Sequence, residues 1–168
     1  SFTADWSTSP NALGPYFGRM VTDQIFRMWG GMREAGHLRE KDRFTIAEFG
    51  AGNGALAESV LEYADQQSKA DSQKRWREFA SQMVYACYDR SPVLCAAQRR
   101  RNARFGNRFE AHEGDASNPT AMIARDSLQG VVLSNEMLDN FSVHKVILSQ
   151  TGAAEVAFVV PSLSPEVW

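Results

Sequence analysis

The sequence predicts an α/β fold with a mainly parallel sheet flanked by helices, and three observations predict it. Short apolar runs alternate with stretches in which apolar residues recur at helical spacing, which is typical of a parallel sheet. A glycine-rich turn, residues 50–54, separates the first apolar run from the helical pattern that follows it. The run at residues 130–134 is continuously apolar, as expected for a strand of a sheet that is covered on both faces.

Each predicted element has its own local signal. Residues 13–35 carry apolar side chains at helical spacing, and glycines weaken the end of this helix. Ser91 and Pro92 mark a helix start, because serine caps a helix and proline suits its first turn. Polar residues 68–78 are expected to form a surface loop or the start of an exposed helix. The predicted strands are residues 44–49, 83–88, 109–113 and 130–134, the other predicted helices are residues 55–67, 91–101 and 119–124, and residues 144–149 and 155–160 form a hairpin or strand pair.

The composition fits one globular domain and argues against several classes of function. The chain has 168 residues, of which 43% are hydrophobic, and its net charge is -2. This charge gives no reason to expect nucleic acid as a partner, and no apolar run is long enough to span a bilayer. The first ten residues lack the pattern of a signal peptide. Cys87 and Cys95 have no metal-ligand spacing, so no metal site is predicted and a reducing compartment is expected.

The glycine turn predicts a site for a nucleotide-type cofactor. Gly50, Gly52 and Gly54, with Ala51 between the first two, let the backbone approach a ligand, and the following helix start offers unpaired N–H groups. The glycines alone also fit the dinucleotide fingerprint. Glu48 favours S-adenosylmethionine, because a carboxylate suits its cationic groups and would repel a pyrophosphate. The third glycine favours the same cofactor, and a nicotinamide cofactor stays open as an alternative.

Further polar residues stand where the other predicted strands end, at the edge where ligands bind in such folds. Asp89, followed by Arg90, is placed to accept hydrogen bonds from ribose hydroxyls, or else to cap the next helix. Asp115, between Gly114 and Ala116, could accept from the adenine amino group, or else serve the turn. The residues predicted to hold the cofactor are Glu48, Gly50, Ala51, Gly52, Gly54, Asp89, Arg90, Gly114, Asp115, Ala116 and Asn135.

Four segments give the sequence a resemblance to a known family. They are SNEMLDNFSVHK at residues 134–145, EFGAGNG at 48–54, YDRSPVLCAAQ at 88–98 and DWSTSPNALGPYFGRMV at 5–21. Together they resemble the MidA-like family of class I methyltransferases, which includes mitochondrial arginine methyltransferases that act as complex I assembly factors. The resemblance implies a Rossmann-like fold, S-adenosylmethionine as cofactor and a protein arginine as methyl acceptor, for example on a respiratory complex subunit.

The chain departs from that family at several positions. Asp89 stands where glutamate is commoner, and Asn140 and Ser142 replace small and proline residues, which leaves the acceptor open. The family is longer, so we expect the C-terminal part of its sheet and an inserted segment to lie outside this sequence. Residues 1–43 are expected to be a helical segment that packs over the cofactor site, and residues 44–168 an incomplete Rossmann-like core.

The segment at residues 134–145 is predicted to carry the chemistry. Glu136 and Asp139 are three residues apart, close enough to converge, and two carboxylates could orient the guanidinium of an arginine substrate. The alternative is that Asn135 and Glu136 cap and support the loop. His144 could be the general base for a carbon or oxygen acceptor, although a lone histidine at a strand start is more often structural.

Several alternatives remain open at this point. The leading hypothesis is a methyltransferase that acts on a protein arginine. The alternatives are a C- or O-methyltransferase domain acting on a small-molecule or carrier-bound acyl substrate, and a non-catalytic assembly factor that binds S-adenosylmethionine. Tyr16 and Phe17 could close over the cofactor. The arginines of residues 99–108 predict a solvated helix face or a docking surface. The compartment is undecided between the mitochondrial matrix and the cytoplasm.

Overall fold

The structure is a computed structural model in which the chain divides into two compact units. The first unit comprises residues 1–137 and the second residues 138–168. The first holds the predicted cofactor site. The residues that the structure describes are 15–72, 74–138, 141, 145–148 and 154–157.

The first unit alternates helices and strands in the order that the sequence predicts. Its helices are α1 Pro15–Glu34, α2 Ala55–Ala70, α3 Arg75–Gln82 and α4 Pro92–Asn102, with 3₁₀ turns at Ala103–Arg108 and Pro119–Ala121. Its strands are β1 Phe44–Phe49, β2 Met83–Asp89, β3 Phe109–Glu113 and β4 Gly130–Ser134. The predicted α/β class with helices around a mainly parallel sheet is confirmed.

The four strands form one parallel sheet in the order β3-β2-β1-β4. The chain moves outward from β1 to β2 and β3, then returns to the other side of β1 with β4. This reversal makes a switch point at the carboxyl ends of the strands, which is where ligands bind in open α/β sheets. The register aligns Phe49 with Tyr88 and with Ser134, so the residues after these strands meet at one edge.

The two faces of the sheet are covered to different extents. Phe44, Ile46 and Tyr85 point to the face that α1 and α2 cover, where the main apolar core lies. Tyr88 points to the other face, where it belongs to a smaller cluster. Val132 on β4 is 58% exposed, so the continuous apolar run of this strand does not correspond to full cover on both faces. The short segment between β3 and β4 packs on this face through Met122, Ile123 and Leu128, which join the cluster of Tyr88.

An aromatic cluster joins α1 to α3, an element that the sequence only partly revealed. Phe79 of α3 is fully buried and makes edge contacts with the rings of Trp29 and Trp76. The indole N–H of Trp29 donates to Oε1 of Gln82 at 2.9 Å. The polar stretch predicted as a loop or exposed helix start therefore leads into a short helix whose inner face is core. Near the start of α1, Phe17 packs against the core and Tyr16 is 70% exposed.

The arginine-rich stretch of α4 and the turn after it pairs with acidic residues of α2. These contacts lie on the surface, so each contributes little to the free energy of unfolding. The predicted solvated helix face is thus an ion-pair surface within the chain. The pairs are Arg101–Glu58 at 3.2 Å, Arg104–Glu62 at 3.2 Å and Arg108–Asp65 at 2.7 Å.

The second unit contains the predicted strand pair. Strands β5, Lys145–Leu148, and β6, Ala154–Ala157, are antiparallel, with Lys145 opposite Ala157. In the part of the chain that the structure describes, no helix is both long and apolar enough to cross a membrane.

Candidate cofactor site

A pocket of about 110 Å³ opens at the carboxyl edge of the sheet, beside the switch point. Five of the residues predicted to hold the cofactor line it, although they come from three separate loops. Two further lining residues, Tyr88 and Met137, were not predicted. The lining residues are Gly50, Tyr88, Asp89, Arg90, Gly114, Ala116 and Met137.

The glycine loop has backbone angles that side chains rarely adopt. Its three glycines have positive φ angles, which are 70° at Gly50, 55° at Gly52 and 78° at Gly54. The N–H of Gly50 donates to the carbonyl of Tyr88 at 2.9 Å, which ties the start of the loop to β2. A Cβ at Gly50 would lie 2.8 Å from Cγ of Met137. Gly50 is therefore required both by its conformation and by the close approach of Met137.

The middle of the loop is open to a ligand. A Cβ at Gly52 would meet no atom within 4 Å. In the described ranges, no hydrogen-bond partner is found for the N–H groups of Gly52 and Asn53. The side-chain oxygen of Asn53 accepts from the N–H of Ala55 at 3.1 Å and so caps the start of α2. Two loop amides thus remain for an acceptor group, while Ala51 is buried beneath them.

Gly54 has a packing role that differs from the one expected. A Cβ there would lie 2.8 Å from Nδ2 of Asn102 and 3.3 Å from Cα of Gln98, both on α4. The third glycine is therefore explained by the contact between the loop and a helix. The expectation that this glycine favours S-adenosylmethionine over a dinucleotide therefore has no support from its contacts.

Glu48 is buried and does not line the pocket. Its side chain lies on the same face of the sheet as Tyr85, whose hydroxyl donates to Oε2 of Glu48 at 2.9 Å. Only 3% of Glu48 is exposed, and this burial raises its pKa to about 7, although the tyrosine hydrogen bond lowers it in part. The carboxyl is therefore only partly ionised at neutral pH. Its role toward a cationic cofactor stays a prediction.

Asp89 serves the backbone and the pocket at the same time. Its Oδ1 accepts from the N–H of Ser91 at 2.9 Å, and the Ser91 hydroxyl caps α4 by accepting from Leu94 N–H at 3.3 Å. The carbonyl of Asp89 accepts from Gly114 N–H at 2.9 Å, which joins the loops after β2 and β3. The helix-start alternative thus describes part of its role, and the pocket position leaves the ribose prediction open.

Asp115 makes local contacts of the kind found in turns. Its Oδ1 accepts from the N–H of Ser117 at 2.9 Å, and Nε of Arg90 lies 3.8 Å from its other oxygen. The Ser117 hydrogen bonds are the main reason that the pKa of Asp115 is lowered. Its neighbours Gly114 and Ala116 line the pocket, whereas Asp115 does not. The prediction that it binds adenine is therefore untested.

The loop after β4 contains a strained residue at the predicted acceptor side. Glu136 is exposed and has φ of 49°, a left-handed conformation that is rare for glutamate and is often found at functional sites. Asn135 before it is half-buried. Asp139 and His144 lie outside the described residues. Within those residues, no group of three histidine, cysteine or acidic side chains could hold a metal ion.

This arrangement defines a class of protein and agrees with a family assignment. A parallel sheet with this strand order, a glycine loop after β1 and a pocket at the carboxyl edge are the features of a Rossmann-like cofactor-binding domain. Residues 20–164 match the family described as "Putative S-adenosyl-L-methionine-dependent methyltransferase", and the chain belongs to that family. The cofactor that defines the family is S-adenosylmethionine, as the sequence predicted.

Solved structures share this fold. A superfamily member from Burkholderia thailandensis bound to S-adenosyl-homocysteine has a TM-score of 0.54 and 24% identity over 92% of this chain. An uncharacterized protein from the same organism has a TM-score of 0.51 and 23% identity over 93% of this chain. The DszA carbon methyltransferase has a TM-score of 0.52 and 22% identity over 74% of this chain. At these identities the likeness shows the fold alone.

The matched structures are much longer than this chain. It spans 36% of the first, 38% of the second and 28% of the carbon methyltransferase. A comparison with the curated proteins finds no match.

Proposed function

We propose that this chain is the cofactor-binding part of an S-adenosylmethionine-dependent methyltransferase whose acceptor is a protein arginine side chain. One observation carries the cofactor part of the proposal, and the arginine acceptor rests on the family resemblance of residues 134–145. Gly50, Asp89, Gly114 and Ala116 come from loops that are distant in sequence, and they line one pocket at the switch point of the sheet. Membership of the methyltransferase family supports the choice of cofactor.

The pocket and the glycine loop beside it fit the parts of the cofactor. Gly52 and Asn53 do not line the pocket, but their amides have no partner among the described residues and can donate to polar groups of a cofactor that extends along the loop. The carboxylate of Asp89 can accept from ribose hydroxyls, and Gly114 and Ala116 line the part of the pocket proposed for the adenine ring. The sulfonium of the bound cofactor supplies an activated methyl group, so the protein mainly aligns the nucleophile with it.

The loop after β4 is the proposed acceptor side. Glu136 and Asp139 would hold the arginine guanidinium by paired hydrogen bonds, which carboxylates make with good geometry. The left-handed conformation of Glu136, two residues after the end of β4, supports this role, because such strain persists where a side chain must be held in a defined place.

Two measurements test the proposal in sequence. Calorimetry with S-adenosylhomocysteine and with NAD distinguishes the cofactors, and lack of binding of S-adenosylhomocysteine would end the proposal. Transfer of labelled methyl groups to arginine peptides then tests the acceptor.

A variant tests the role assigned to Glu136. Glu136→Gln should lower methyl transfer about 10- to 100-fold, because one charge-assisted hydrogen bond contributes roughly 1.5–3 kcal/mol. Affinity for S-adenosylhomocysteine should not change, since Glu136 does not line the pocket. Glu40→Gln is the matched control, because Glu40 is exposed and precedes β1 at the opposite edge. Transfer equal to that of the unmodified protein would refute the role.

A carbon acceptor is the second candidate, and the likeness to a carbon methyltransferase favours it. In that case His144 would remove a proton from the acceptor carbon. The same labelled assay with carrier-bound acyl substrates separates the candidates. A product methylated at carbon, with no transfer to arginine peptides, would replace the first candidate by the second.

A further inference from the structure

We propose that Gln98 and Asn102 of α4 are positioning residues that hold the glycine loop in its cofactor-binding conformation. They act through the backbone carbonyls of Gly52 and Gly54 and do not line the pocket. Its effect on affinity rests on the proposed function. The two amide-to-carbonyl bonds from α4 to the glycine loop, which we call the clamp, can be measured without any cofactor.

Two side-chain amides of α4 donate to two backbone carbonyls of the glycine loop. Nε2 of Gln98 donates to the carbonyl of Gly52 at 2.8 Å. Nδ2 of Asn102 donates to the carbonyl of Gly54 at 3.2 Å and to the carbonyl of Gln98, one helical turn earlier, at 3.1 Å. Gln98 and Asn102 are both fully buried, so their side-chain amides are shielded from water.

The bond to Gly52 determines the direction of a loop amide. In a trans peptide, the carbonyl of one residue and the N–H of the next point in opposite directions. Because the carbonyl of Gly52 points toward α4, the N–H of Asn53 points away from α4. No partner for that N–H is found in the part of the chain that the structure describes. The bond from Gln98 to the Gly52 carbonyl therefore fixes the direction of the Asn53 N–H, the donor that the proposal assigns to the cofactor.

The side-chain N–H groups, and not the side-chain oxygens, explain why Gln98 and Asn102 are amides. Among the described residues, Oε1 of Gln98 and Oδ1 of Asn102 have no hydrogen-bond partner. An apolar side chain of similar size would avoid burying these oxygens, so the amide is explained by its N–H groups. The opposite orientation of the Gln98 amide would place Oε1 against the carbonyl of Gly52, and two acceptors repel each other.

The packing of α4 against the loop is consistent with a clamp. A Cβ at Gly54 would lie 2.8 Å from Nδ2 of Asn102, so only glycine permits this approach. The same helix begins at the Ser91 cap, which is bonded to Asp89 at the pocket. One rigid helix thus connects the glycine loop to the proposed ribose acceptor.

The test compares loss of the donor with loss of packing. Gln98→Met keeps the side-chain volume but removes the donor, and Gln98→Asn keeps an amide that is one methylene shorter. Ile25→Val is the control, because Ile25 is buried in α1 and has no bond to the loop. Affinity for S-adenosylhomocysteine is measured by calorimetry at a temperature where thermal melts show every variant folded.

The clamp predicts an effect on affinity that a general packing role does not. Gln98→Met should bind S-adenosylhomocysteine about fivefold more weakly, which is the factor for one lost hydrogen bond, and Ile25→Val should bind like the unmodified chain. Equal affinity in Gln98→Met and the control would overturn the inference. If Gln98→Met does not fold, Gln98→Asn gives the same comparison, because its amide is one methylene too short for the bond to the Gly52 carbonyl and weaker binding is again expected.

Hydrogen exchange without cofactor separates this inference from the proposed function. The amides of Gly50 and Gly54 are hydrogen-bonded, so their exchange reports the order of the loop. Faster exchange there in Gln98→Met, with α1 unchanged, supports the clamp even if S-adenosylhomocysteine does not bind the unmodified chain. Unchanged exchange refutes it, whichever cofactor binds.

Discussion

Replacing Gly54 with alanine would test whether the third glycine serves the contact between the loop and α4. The new Cβ would lie 2.8 Å from Nδ2 of Asn102 and 3.3 Å from Cα of Gln98. The first atom can move only by giving up its bond to the Gly54 carbonyl, and the second belongs to the helix backbone. Alanine would also have to adopt a φ of 78°.

The expected loss of stability follows from these two terms. A left-handed conformation costs a residue with a Cβ roughly 1–2 kcal/mol. Loss of the Asn102 hydrogen bond costs about 1 kcal/mol more. The free energy of unfolding should therefore fall by about 2–3 kcal/mol, which lowers the Tm of a domain of this size by roughly 4–12 °C.

Two other glycines provide matched controls in the same thermal unfolding assay. Gly52→Ala adopts a φ of 55° but meets no atom within 4 Å, so it should lose only the conformational term. Gly31→Ala lies inside α1 with open space around it, and it should stabilise the helix by about 0.5–1 kcal/mol. If Gly54→Ala has the same Tm as Gly52→Ala, the packing argument is refuted.

Three further outcomes are expected. Because the pKa of Glu48 is raised to about 7, the folded state keeps its proton between pH 4.5 and 7 while the unfolded state loses it, so this residue lowers stability as pH rises through that window. Glu48→Gln should therefore gain about 3 kcal/mol relative to the unmodified chain at pH 8 and little at pH 4, measured by urea unfolding at each pH. Gln82→Leu should lose about 2–4 kcal/mol in urea, because it removes the acceptor of the Trp29 indole and donors to two carbonyls, and a loss below 1 kcal/mol would contradict these bonds. Arg108→Ala breaks a two-bond pair with Asp65 at the surface and should cost about 1 kcal/mol, less in high salt; a salt-independent loss would rule out the ion pair as its source.

The strands were predictable because their signals are local. The runs of β1 and β2 end at a glycine and at an aspartate, and β1, β3 and β4 have the predicted boundaries. The cap at Ser91 was predictable for the same reason, since it depends only on the next three residues. Placement of Glu48 could also have been predicted, because alternate residues of a strand share a face and Glu48 follows Phe44 and Ile46.

Other features depend on partners that are distant in sequence. Gln82 bonds to Trp29 across 53 positions, and no local pattern indicates that pairing. Met137 could not be distinguished from other apolar residues until the fold placed it against Gly50. Gln98 did leave a signal, because it lies on the buried face of α4 with Cys95, where a polar side chain is unusual. That signal became interpretable only with the loop carbonyl beside it.

The aromatic cluster between α1 and α3 has a consequence for optical measurements. Trp29 and Trp76 lie in this cluster, which reaches Phe44, the first residue of β1. The glycine loop follows the last residue of that strand, roughly 17 Å away along β1. With Trp6 and Trp168 replaced by phenylalanine, indole emission would follow unfolding of the amino edge and stay constant while a ligand fills the opposite edge. The protein thus contains an internal fluorophore pair that reports its folding separately from its occupancy.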